Sequence, residues 1–221
     1  PRPPISLPRK EPPLILLGQY DSPFVRRVAI ALRLYGMDYS HKPWSTFGDA
    51  DRIAEYNPLL RVPVLVLPEG ESLIDSMVIL DHLDELAGPE RALLPASGSD
   101  RRQQLRLSAL AAGLADKAVA MLYECLLHKQ VSRIWLKRCE GQIRQTLDLL
   151  EETRQQATGD FDFGQQPGHS DIMLACALRF VSEAHTDQLD ISGWRALCAH
   201  ATRCEALPVF QEIRQPFIPP R

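Results

Sequence analysis

Leu14-Ile15-Leu16-Leu17 is a run of four apolar residues bounded by prolines before it and Gly18 after it, which predicts a short buried strand. From Pro23 to Tyr35 the apolar positions change period. Phe24, Val28, Ala31, Leu32 and Tyr35 recur at helical spacing, Arg26, Arg27 and Arg33 are assigned to the outer surface, and Gly36 ends the helix. Residues 39–44 read as a second strand, and 49–56 as a short helix closed by Asn57-Pro58. Val62-Pro63-Val64-Leu65-Val66-Leu67 predicts a buried strand, and the turn formers 68–71 return the chain into a hairpin partner at 72–74. Residues 76–87 then place Ile79, Leu80, Leu83 and Leu86 on one helical face. The order β-α-β-α-β-β-α predicts an open sheet with helices packed on its faces.

Beyond Ala87 the strand signal disappears. Residues 88–99 are rich in Gly, Pro and Ser and read as a linker. Helical patterns follow at 100–128, 131–156, 169–184, 192–204 and 208–214. The stretch Ile172–Leu178 is apolar on every side, which predicts a helix at the centre of an all-helical domain. The expected organisation is a proline-rich arm at 1–13, an α/β module at 14–87, the linker at 88–99 and a helical module at 100–221.

Composition narrows the function classes. Of the 221 residues, 45% are hydrophobic and 24% charged, ordinary for a globular protein, and the net charge of −3 argues against a nucleic-acid surface. No apolar run approaches the roughly 20 residues that span a bilayer, so no membrane segment is expected. The proline-rich start lacks a signal-peptide pattern, which makes the cytoplasm the expected compartment. The five cysteines contain no C-x-x-C pair and read as small core residues in a reducing environment. The six histidines form no i, i+4 pair, so no metal is expected.

Three local patterns carry candidate chemistry. Ser22-Pro23 sets a hydroxyl at a helix N-cap, where the positive end of the dipole favours an anion. Val62-Pro63 puts a proline at the start of a strand. Asp75-Ser76 closes one strand and opens a helix, so both side chains and the first free amides converge. Each alone also fits a purely structural role.

Taken together, Ser22-Pro23-Phe24-Val25-x-Arg27, Val62-Pro63-Val64 and Asp75-Ser76 resemble the serine-type glutathione transferases, similar to the tau and zeta classes and bacterial members, over about residues 14–215. The resemblance implies a thioredoxin-like N-terminal domain followed by an all-α C-terminal domain, working as a homodimer. It implies glutathione as co-substrate, conjugated to a small electrophile in a detoxifying reaction without a metal. Ser22 would donate a hydrogen bond to the glutathione sulfur, with Tyr20 as the alternative thiol donor and Asp21 as a minor polar contact. Val62, ahead of a cis Pro63, would pair with the cysteinyl backbone, and Asp75 and Ser76 would hold the γ-glutamyl head. Arg61, with Ser45 or Thr46, would face the glycine carboxylate. Many members have Glu or Gln where this chain has Asp75. A further departure is Gly168, three residues before Asp171, where the family typically has Ser or Thr, with Ser170 positioned to supply part of the missing hydroxyl. Asp171 and residues 204–210 read as structural. The resemblance also admits a glutathione-dependent isomerase or dehalogenase, or a non-enzymatic binding scaffold related to stress-response proteins.

Overall fold

The computed structural model describes residues 14–220; the proline-rich arm at 1–13 lies outside the described residues. The elements are β1 (Leu14–Leu17), α1 (Pro23–Tyr35), β2 (Tyr39–Lys42), α2 (Ala50–Ala54), β3 (Val64–Val66), β4 (Ser72–Ile74) and α3 (Ser76–Ala87). Five helices follow: α4 (Gly98–Leu127), α5 (Arg133–Gln156), α6 (His169–Ala184), α7 (Arg195–Glu205) and α8 (Pro208–Glu212). The sheet order is β2-β1-β3-β4, with β1 parallel to β2 and the other pairs antiparallel. This is the expected element order.

Boundaries differ where local chemistry intervenes. Strand β3 covers Val64–Val66 rather than 62–67, because Pro63, which follows a cis peptide, has no N–H to donate and Leu67 N–H bonds Glu71 O in the hairpin turn at 2.8 Å. Helix α7 starts at Arg195 rather than 192, because Asp190 accepts both the Ser192 N–H and its hydroxyl at 2.9 Å and holds a turn there. Helix α4 begins at Gly98, inside the stretch read as a linker.

The largest correction concerns α1. Arg26 and Arg27 are not on the outer surface: they are 2% and 1% exposed. The reason is that α1 is covered on both sides, by the sheet and α3 on one and by α6 and α8 on the other. Val25, Val28, Ala29, Ile30 and Leu32 are fully buried, in a cluster that also holds Ile79, Leu83, Ile172, Cys176 and Phe210. At about 1.5–3 kcal/mol per large buried side chain, this one cluster ties the two halves of the chain together. Arg26 is tolerated there because each of its three nitrogens has an acceptor. It pairs with both Glu205 oxygens (2.5 and 2.9 Å), donates to Ile213 O (2.8 Å) and Phe210 O (2.9 Å), and lies over the Phe210 ring.

The helical half has its own core, with α6 in the middle as its all-round apolar pattern requires; Ile172–Leu178 is buried throughout. Its N-cap is half a capping box. Gly168 N–H donates to Asp171 Oδ2 (2.9 Å), but Gly168 has no side chain to return the bond. Ser170 does not replace it, since its hydroxyl donates to Asp162 (2.8 Å). The buried Gln104 amide stands where a side chain at 168 would be, 2.8 Å from a built Cβ. Asp171 Oδ1 accepts the Asp162 N–H as well, so this carboxylate holds the loop before α6 together.

Cys204 Sγ, His200 Nε2 and Asp171 also meet in this core, at 3.6 Å from thiol to ring and 3.6 Å from ring to carboxylate. Despite its composition the trio is not a nucleophile site. All three residues are 0% exposed, burial pushes the Cys204 thiol far up, and burial pushes His200 down to about 4.

Two outcomes follow from these contacts. Gly18 has φ 120°, and a Cβ there would lie 2.5 Å from Val25 Cγ2 and 2.8 Å from Val62 Cβ. Gly18→Ala should therefore lower unfolding stability by roughly 2–5 kcal/mol in a urea titration. His200 takes its proton in the unfolded chain near 6.5 but in the folded chain only near 4, so its contribution to stability falls as pH drops through that window. Histidine NMR titration should show one imidazole neutral down to about pH 4.

Candidate active site

The loop after β1, the Val62 segment before β3 and the N-terminus of α3 come together along one edge of the sheet, facing α4. Between them lies a small pocket of about 150 Å³, bordered by Arg27, Asn57, Arg61, Val62, Pro63, Asp75, Ser76, Met77 and Asp116. It shares Phe24, Leu59, Arg61, Val62 and Asp116 with a larger cleft of about 840 Å³ that runs between the sheet and α4. The cleft carries six aromatic side chains, Phe24, Trp44, Phe47, Tyr123, Phe180 and Phe217, and Ser22, Ser45 and Thr46 also line it. Phe47 and Tyr123 meet edge to face across it, 5.4 Å between centroids. The result is a narrow recess that carries Arg27, Arg61, Asp75 and Asp116 and opens into a wider, more apolar trough.

Ser22 caps α1, with Val25 N–H donating to its Oγ at 3.4 Å. The hydroxyl's own proton has no acceptor among the described residues, and Pro23 occupies the first helical position, where no donor is lost. Tyr20 is placed differently from its neighbour. Its hydroxyl pairs with the Tyr39 hydroxyl (2.8 Å), its ring stacks on His41 at 3.9 Å, and burial with that hydrogen bond pushes its pKa far up. It borders neither pocket described above. Asp21 accepts the Ile218 N–H (3.0 Å), and burial raises its pKa; it lies against the C-terminal segment at the rim of the cleft.

The Val62 segment is braced from below. The buried Asn57 amide donates to Arg61 O (2.8 Å) and its oxygen accepts the Leu59 N–H (3.0 Å), holding residues 57–61 in one loop in which Leu60 has φ 53°. The backbone N–H and C=O of Val62 form no hydrogen bond among the described residues, so an extended edge stands open where the two pockets join. Arg61 reaches across to Asp116 on α4 (3.2 Å), with both side chains exposed.

Asp75 sits at φ 68°, an unfavourable region for a residue with a Cβ, and its carboxylate accepts the Met77 N–H at 2.8 Å. It thus caps α3 and still borders the recess. Ser76 is buried, and its hydroxyl accepts a 2.5 Å bond from Arg27 Nη2.

Arg27 is the site residue that reading the chain alone had assigned to the surface. Its Nε and Nη1 have no partner although they are buried, and burial lowers its pKa to about 10 against the opposing pull of Asp75. A signal for it was present. Phe24, Arg27, Val28 and Ala31 follow i, i+3, i+4, i+7, so position 27 belongs to the buried stripe. A buried guanidinium with two unpartnered nitrogens beside a helix N-terminus favours an anion in the recess, with the Asp75 carboxylate adjacent, the electrostatics of an amino-acid head group. Among the described residues no group of three or more metal-ligating side chains occurs, and no helix is long and apolar enough to cross a membrane.

Both the sequence and the fold have known counterparts. The glutathione S-transferase N-terminal domain family matches residues 16–91, and the corresponding C-terminal domain family matches residues 133–203. The uncharacterized GST-like protein YibF of Escherichia coli is 31% identical over 168 residues, covering 76% of this chain and 81% of its own. The maleylacetoacetate isomerase of Pseudomonas aeruginosa is 30% identical over 209 residues, 89% of this chain and 93% of its own. A glutathione S-transferase from Methylobacillus flagellatus, solved with GSH bound, superposes with TM-score 0.82 at 25% identity, over 92% of this chain and all of the other. A family member from Pseudomonas fluorescens Pf-5 with bound glutathione gives 0.79 at 29% identity, with the same coverage. A thioredoxin-like sheet module with a helical domain behind it, matched over most of its length in sequence and in structure, means that the chain belongs to the glutathione S-transferase family.

Proposed function

We propose that this protein binds glutathione in the recess and trough described above and conjugates it, through its sulfur, to a small electrophile. The observation that carries the reading is Arg27: a buried cation with two free donors needs an anion. The γ-glutamyl carboxylate would meet Arg27, the Ser76 hydroxyl and the start of α3, while Asp75 would face the ammonium group. Val62 would pair through its open backbone edge with the cysteinyl unit, as an added strand does. Arg61 would lie toward the glycine carboxylate, with Ser45 and Thr46 nearby. This arrangement brings the thiol to Ser22 and its electrophile to the aromatic cleft.

The chemistry then needs little more than a thiolate and proximity. A free thiol near pKa 8.5 is only a few percent ionised at neutral pH, and Ser22 Oγ–H together with the α1 dipole would lower that value. The proton leaves to solvent, the sulfur lone pair forms the new C–S bond, and either a leaving group departs or an unsaturated carbon takes up a proton. Holding both reactants in one cleft supplies the rest of the rate gain. The 30% identity to maleylacetoacetate isomerase over most of both chains supports a second reading on the same residues, in which the sulfur adds reversibly and glutathione is regenerated. Five free cysteines, three of them buried, fit a reducing cytoplasm. Family resemblance supports a homodimer through α3 and the first helices of the helical domain, and Val78 and Leu86, the exposed apolar residues on α3, offer it a face.

Calorimetry with reduced glutathione should show binding; none at millimolar concentration refutes the reading and leaves a scaffold role. Ser22→Ala should raise the pKa of bound glutathione by about 1–2 units, followed by thiolate absorbance against pH, and lower kcat about 10–100-fold with affinity little changed. Arg27→Met should act in the opposite way. Glutathione affinity should fall about 10–100-fold with the thiol pKa unchanged, while the melting temperature stays level or rises, because the substitution removes a buried cation without a full set of partners.

A further inference from the structure

We propose that the tip of the α4–α5 hairpin, residues 126–135, docks onto an anionic bilayer surface. These ten consecutive residues are all exposed, and five of them are large and apolar: Leu126 (49%), Leu127 (47%), Val131 (43%), Ile134 (86%) and Trp135 (36%). Apolar side chains scattered singly over a surface need no explanation, but five on one turn and its flanking helix ends do.

Charge selects the occupant. The chain carries net −3, yet residues 125–139 contain Lys129, Arg133, Lys137 and Arg138 and no carboxylate. None of these four cations forms an ion pair among the described residues. Glu124, the carboxylate just before the tip, is turned inward, accepting the Ser132 N–H at 2.6 Å and meeting His128 at 2.9 Å. Cations around aliphatic side chains and a tryptophan match an interface with acidic head groups outside and hydrocarbon beneath. Four aliphatic residues and one aromatic give little for nucleic-acid bases to stack on.

Placement also fits. Helix α4 runs about 40 Å from its start to Leu126, and its first turn lies at α3, where Arg101 meets Asp81 at 3.6 Å. The tip is therefore at the far end of α4 from the α3 face offered for dimerisation. Tyr123, one turn before Leu127, lines the cleft, so a docked tip would hold the cleft beside a membrane, where apolar compounds concentrate. Docking of this kind is distinct from spanning, which the helix composition does not support.

The test is cosedimentation of the full chain, without glutathione, with vesicles of phosphatidylcholine containing about one-quarter phosphatidylserine and with pure phosphatidylcholine. Binding should be confined to the acidic vesicles and fall steeply as salt is raised. Lys129→Glu with Arg133→Glu should weaken partitioning by at least about fivefold per position, and Leu127→Ser with Ile134→Ser by at least tenfold. Both variants should keep the parent's melting temperature and glutathione affinity, so failure here is separable from failure of the proposed function. Equal pelleting with both lipids, none with either, or binding that survives both variants overturns the proposal. So does a drop in mass by light scattering in the Leu127→Ser, Ile134→Ser variant, which would make the tip an interface between copies of this chain.

Discussion

Two adjacent arginines on one doubly covered helix govern this structure. With the sheet on one side and α6 and α8 on the other, α1 has almost no solvent-facing surface, and consecutive residues point to different walls. Arg26 has an acceptor for each of its nitrogens and joins α1 to Glu205 and the carbonyls of Phe210 and Ile213. Arg27 meets only the Ser76 hydroxyl. Both lose their hydration, yet only one is fully repaid inside the chain. The same packing that makes Arg26 a structural tie therefore leaves Arg27 as an electrostatic demand on whatever enters the recess.

The rest of the site is organised around that demand. The recess is narrow and holds the charged side chains, and the cleft beside it is wider and more apolar. This divides recognition of a charged head group from accommodation of an apolar partner. Ser22 lines the cleft as the N-cap of the same helix that carries Arg27 into the recess, so the two are coupled through one rigid element. Backbone strain is stored in the same place: Leu60 and Asp75 have positive φ, and with Gly18, which adopts φ 120° without strain, they flank the three chain segments that form the pocket. The C-terminal segment closes the arrangement, through Ile218 on Asp21 and Gln215 on Tyr20.

Much of this was readable along the chain. The period change between Leu14–Leu17 and Pro23–Tyr35, the turn chemistry at 68–71 and the all-round apolarity of Ile172–Leu178 follow from local physics, and each appears where expected. Ser22, Val62, Pro63, Asp75 and Ser76 were visible because caps and strand starts leave compact marks in sequence. Arg27 was assigned outward, because a charged residue in a helix is usually solvated and no local rule announces a second covering layer. Tyr20 shows the same limit. One residue from Asp21 and two from Ser22, it turns its hydroxyl to Tyr39 instead of the cleft, and only the position of β2 decides that.

The amino-acid sequence by itself determined the order of the elements, the caps that start α1 and α3, and the family to which the chain belongs, since these rest on neighbours a few residues apart. Tertiary structure decided which of two neighbouring arginines is satisfied, which polar group faces the cleft, and that Cys204, His200 and Asp171 form part of the core and not a reactive centre. Those outcomes depend on burial and on partners up to 187 residues away, and desolvation is a property of the packed molecule that no short stretch of chain encodes.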